Sequence, residues 1–172
     1  MKKTRYITFC ALMSALSVVI LLLGSLLEIL DLTAVMITAL IVVIAREELG
    51  LKSVAVFVVT AVISLFIIPN KLLGIEYAVI SIYPILAHYF NKLAKPIQLP
   101  VKGAYFVIAS VVIVLLTNYV FMPGSPLYMD IVLSIGGVVL FVLFDILLFK
   151  FIMLYRFKLR HQLRLDRFFI EK

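Results

Sequence analysis

The chain has 172 residues, 65% of them hydrophobic and only 15% charged, with a mean hydropathy of +1.24 and a net charge of +7. Such values lie far from those of water-soluble domains and describe a protein whose core is solvated by lipid. A single cysteine, Cys10, excludes an internal disulfide and a cysteine-based metal site.

The basic start Lys2-Lys3-Thr4-Arg5 leads into an apolar run over 6–27. At about 1.5 Å per residue these roughly 22 residues can cross about 30 Å of hydrocarbon. A cleavable signal has a shorter apolar region and a small-residue cleavage site, so a retained first helix is expected. Ala11 and Ala15, with Ser14 and Ser17 beside them, give that helix a small-residue face. Such a face suits close approach, either by a helix of the same chain or by a partner protein.

Further apolar runs cover 32–45, 53–68, 72–90, 103–122 and 128–154. Inside a bilayer the backbone must satisfy its own polar groups, so these runs are helices unless they close a barrel. The alternation of apolar and polar residues that marks a barrel is absent. The expected fold is an all-α integral membrane protein, a six-transmembrane-helix bundle over 1–154 followed by a tail over 155–172. With a cytoplasmic N-terminus, 15 of the 16 lysines and arginines fall on the inner side and Lys71 alone falls outside. The positive-inside rule therefore favours six crossings with both termini in the cytoplasm of a multi-pass cell-membrane protein.

The individual runs carry further expectations. The second would span only about 21 Å as a helix, so it is either recessed or begins earlier, within Glu28-Ile29-Leu30-Asp31. Pro84 frees the carbonyl of Ile80 and predicts a kink in the fourth, whether to line a cavity or simply to pack. The sixth, at roughly 40 Å, must tilt or project, and Gly136-Gly137 lets a neighbouring helix come close. In the tail, Tyr155, Leu159 and Leu163 share one helical face while basic residues point elsewhere. That pattern predicts a helix lying on anionic lipid, with no nucleic-acid role.

Polar side chains gather at the outer connections: Glu28 and Asp31 in the first, Asn70, Lys71, Glu76 and Tyr77 in the second, and Asn118, Tyr119, Ser125, Tyr128 and Asp130 around the third. Tyrosines stack on rings and charges fix the ends of a solute, so these loops can form a binding cup. The same residue types also favour the membrane interface for its own sake. Four acids against one lysine incline the outer face toward a neutral or cationic solute. Within the helices, Asp145 needs a partner because a carboxylate in lipid is costly; Lys150, Arg46 and His88 are the candidates, in a tether or a proton relay. Zinc, phosphate-loop and nucleophile-elbow motifs are absent, so neither an enzyme activity nor a cofactor or metal is expected.

The stretch Ala11-Leu12-Met13-Ser14-Ala15, together with Pro69-Asn70-Lys71-Leu72, Glu76-Tyr77 and Tyr83-Pro84-Ile85, resembles the substrate-binding S component of energy-coupling factor transporters, or small bacterial membrane proteins similar to it. The resemblance implies a six-helix fold whose outer loops bind a vitamin or related micronutrient. It also implies that Ala11 and Ala15 dock the chain to a transmembrane coupling subunit driven by two ATPases. No signature of a particular vitamin accompanies it. The chain is also similar in size and helix count to the rod-shape protein MreD, which implies instead a cell-envelope scaffold without a small-molecule ligand.

Overall fold

A computed structural model describes residues 2–27, 30–120 and 127–160, and among these every regular element is helical. Helix α1 runs Lys2–Leu27, α2 Asp31–Leu49, α3 Ser53–Ile67, α4 Lys71–Ser81, α5 Tyr83–Phe90, α6 Lys95–Val120 and α7 Leu127–Leu154. A 3-10 turn over Gly50–Lys52 joins α2 to α3, and a π-helical turn over Tyr155–Leu159 continues α7. Among the described residues, five stretches are long and apolar enough to cross a membrane: Thr4–Leu27, Asp31–Ile67, Lys71–Phe90, Lys95–Asn118 and Tyr128–Lys158.

The second of these contains a reversal. Gly50 takes φ 61° and ψ −130° and donates its N–H to the Arg46 carbonyl. An L side chain is strained in that conformation and glycine is not. The chain doubles back here, so that Lys52 at the start of α3 lies over the Tyr6 ring near the start of α1. Phe9, Ala45, Leu49 and Val56 then close a small apolar cluster among the first three helices.

Helix α2 is longer than its apolar run. Its 19 residues span about 28 Å, because Arg46, Glu47 and Glu48 remain helical beyond Ala45. Of the two readings of the 32–45 run, a recessed element or an earlier start, the helix has the earlier start, at Asp31. Its charged last turn makes contacts with α5 and with the end of α7. Arg156 Nε donates to Glu47 Oε2 at 2.7 Å, Tyr155 OH to Glu48 Oε1 at 2.9 Å, and the Arg46 guanidinium lies over the Tyr89 ring. Tyr155, expected on the face that lies on lipid, is instead wholly buried in this contact, because its hydroxyl reaches Glu48 of α2; of the tail, residues 161–172 lie outside the described residues.

Pro84 divides the fourth run. The break falls at Ile82, and the proline sits near the start of α5, where its missing N–H costs least. The main core forms where α2, α4 and α5 meet α6 and α7, around Tyr77, Tyr83, Phe106, Phe141 and Phe144. Tyr83 stacks on Tyr105 at 5.3 Å, and Phe106 on Phe141 at 5.5 Å. Two close approaches tighten the bundle. A Cβ at Gly24 would overlap that of Ala34, and one at Gly137 would come within 2.6 Å of Ser110 Oγ. Helices α1 to α4 thus pack as one group and α6 with α7 as another, joined through α2, α4 and α5.

Candidate functional site: a cavity between the two helix groups

Between these groups lies a cavity of about 500 Å³, within the range of small-molecule sites. Four helical stripes line it. From α2 come Leu32 and Met36, and from α4 Leu72, Glu76 and Ile80, each four residues from the last. Helix α6 contributes Ser110, Ile113, Val114 and Thr117, the three- and four-residue spacing that places side chains on one face. Helix α7 supplies the far wall from Val132 and Leu133 through Gly136 and Leu140 to Phe141 and Phe144.

Gly136 and Gly137 have different tasks. A Cβ on Gly136 would meet nothing within 4 Å, so its missing side chain enlarges the cavity, whereas Gly137 seats Ser110. Val132 and Leu133 line the cavity yet are 65% and 49% exposed, so it opens at the surface beside α7.

Among the described residues the cavity has one ionisable group, the carboxyl of Glu76, and two hydroxyls, Ser110 and Thr117. Thr117 donates to the Ile113 carbonyl at 2.8 Å, as hydroxyls on helices commonly do. Ser110 is 2% exposed, and its Oγ has no hydrogen-bond partner among the described residues.

Of the described side chains expected to bind a solute, Glu76 alone lines the cavity. Asp31 and Asn70 are brought together beside it. Asn70 Nδ2 donates to Asp31 Oδ2 at 2.8 Å while its Oδ1 accepts from Leu72 N–H at 3.1 Å, capping α4. Asp31 is close enough to Glu76 for the two carboxyls to interact electrostatically. Lys71 turns away: its Nζ donates to the Leu65 and Phe66 carbonyls at 2.8 and 3.3 Å, closing the C-terminus of α3. Tyr77 is wholly buried and stacks on Phe57, with its hydroxyl beside Thr60 and Ser81.

Asn118 stands in the last turns of α6, one residue beyond Thr117, and Tyr128 and Asp130 stand in the first turn of α7, with Tyr128 70% exposed. Glu28, Ser125 and the side chain of Tyr119 lie outside the described residues. Ala11 and Ala15 are exposed on the surface of α1. Ala11 borders a groove against Ala55 and Val59 of α3.

Asp145 has partners other than those expected. Lys102 Nζ reaches its two oxygens at 3.1 and 3.0 Å, and Tyr83 OH donates to Oδ1 at 2.6 Å. Lys150, Arg46 and His88 are replaced in this role because α6 begins at Lys95, two turns before its apolar run. Lys102 is thereby carried into the bundle instead of lying in a loop. The group joins α5, α6 and α7 as a tether. Among the described residues, no cluster of His, Cys, Asp or Glu suits a metal ion.

These features define an all-helical protein with several membrane-length helices and an apolar cavity holding one carboxyl. No family model matches the chain, and no curated protein or solved structure matches it.

Proposed function

We propose that this chain is the solute-capturing subunit of a micronutrient uptake transporter, an S-component-like protein of the cell membrane with six crossings and both ends cytoplasmic. The observation that carries the reading is the cavity between α2, α4, α6 and α7: it has the volume of a small-molecule site and opens at the surface. A protein serving only as a scaffold has no need of such a space. The reversal at Gly50, which divides α2 from α3, supports counting the two as separate crossings. The basic side chains support the orientation, since Lys52 over Tyr6, Arg46 and Lys92 over Tyr89, and Arg156 on Glu47 gather around one end.

In this reading the vitamin-like solute enters the cavity, and Ala11 and Ala15 on the open surface of α1 meet a transmembrane coupling subunit with two ATPases. ATP belongs to those partners. The basic tail rests on anionic lipid. The test is purification of the tagged protein from its native membranes, with mass spectrometry of the accompanying proteins. A coupling subunit with ATPases is the expected result, lost on Ala11→Phe or Ala15→Phe. Cell-wall or division proteins without an ATPase would overturn the reading in favour of an MreD-like scaffold.

A further inference from the structure

The chemistry of the cavity narrows what it can hold. Among the described residues, Glu76 is the only ionisable one on its walls. Lys71, the base nearest to it in the chain, is committed to the carbonyls of Leu65 and Phe66. Nearby Asp31 adds negative potential to that of Glu76. In a space otherwise walled by groups such as Val114, Phe141 and Phe144, charges interact far more strongly than in water. An anionic solute would meet a carboxyl with no cation to balance it. A purely apolar solute would cover Glu76 and leave it unpaired, at a cost that grows with desolvation. A solute with a single cationic head relieves both problems. The second polar fixture is Ser110, whose buried hydroxyl is unmatched among the described residues; a buried group of that kind is stabilised by any ligand that bonds to it.

We infer that the cavity takes an apolar molecule carrying one cationic amine, the amine held by Glu76 and a second hydrogen-bonding group reaching Ser110. The inference rests on the solute-capture reading, of which it names the substrate class. The apolar body lies over Val114, Phe141 and Phe144, and entry is past Val132 and Leu133 at the open rim.

Three probes with one carbon skeleton test it: 4-phenylbutylamine, 4-phenylbutanol and 4-phenylbutyrate. Each is titrated calorimetrically against the full chain in nanodiscs of phosphatidylcholine, whose zero net charge limits non-specific attraction. The amine is expected to bind about tenfold more tightly than the alcohol, as for one charge-assisted contact, and the carboxylate most weakly. Glu76→Gln should erase the advantage of the amine and leave the alcohol unchanged. Gly136→Leu, which adds bulk where the backbone has room, should weaken all three.

Several results would overturn the inference: a carboxylate that binds as well as the amine, an amine preference that survives Glu76→Gln, binding indifferent to Gly136→Leu, or no binding by any probe. Failure here is distinguishable from failure of the transporter reading. Amine preference without a co-purifying coupling subunit would sustain the site and sink the transporter, and a coupling subunit without amine preference would do the reverse.

Discussion

Asp145 illustrates how a charged side chain is accommodated inside an apolar bundle. Lys102 and Tyr83 supply three hydrogen bonds to its two oxygens, and the Lys102 and Asp145 side chains are only 13% and 26% exposed. Asp145→Asn leaves Lys102 facing a neutral amide, and a loss of about 1.5–3 kcal/mol is expected for a hydrogen bond to a charged group. Exchanging both partners, Asp145→Leu with Lys102→Met, should recover much of that loss, because an apolar pair does not strand a charge. Thermal unfolding of the two variants in one detergent checks both expectations. Asn70 gives a second contrast at this scale. Its side chain caps α4 and bonds Asp31 without lining the cavity, so Asn70→Ala should cost about 1 kcal/mol of stability. Its effect on solute affinity should be small beside that of Glu76→Gln, and equilibrium binding measured well below the melting temperature separates the two.

At the scale of the elements, the adjacent glycines of α7 make opposite predictions. Gly136→Ala places a methyl in open space and improves helix propensity, so it should be neutral or stabilising by up to about 1 kcal/mol. Gly137→Ala drives a methyl into Ser110, must push α6 and α7 apart, and should lower the melting temperature. Gly50→Ala should also destabilise, through its positive φ.

Much of this architecture was legible in the hydropathy of the chain, and Pro84 marked the break between α4 and α5. The C-terminal end of α2 and the N-terminal end of α6 were not. Arg46 to Glu48 and Lys95 to Lys102 read as loop because they are charged or contain prolines, yet both stretches are helical, with Arg46, Glu47, Glu48 and Lys102 finding partners on neighbouring elements. The cavity was hidden for a different reason. Helix α7 is apolar around its whole circumference, so no contrast marked the stripe from Val132 to Phe144. Polarity drew attention instead to Asn70 and Lys71, which the structure uses to close helix ends. The spacing of Ser110 and Thr117, seven residues apart and so on one face of α6, was a signal in the sequence that went unread.

For the whole molecule, the account requires that the end bearing Asp31 and Asn70 face outward and the end bearing Arg46 and Arg156 face the cytoplasm. Cys10 is the only cysteine, so a Cys10→Ser background makes single-cysteine labelling unambiguous. Lys71 and Lys158 are both exposed. Lys71→Cys should react with an impermeant maleimide on intact cells, and Lys158→Cys only after permeabilisation. The opposite pattern would invert the topology.

The central claim, that the space between the helix groups holds a solute, is tested most directly by purifying the wild type and Gly136→Leu in parallel from native membranes. Small molecules released on denaturation are then identified by mass spectrometry. The account predicts a stoichiometric compound with the wild type that is depleted from the variant. A wild type that releases nothing beyond lipid, or a compound retained equally by both proteins, would contradict it.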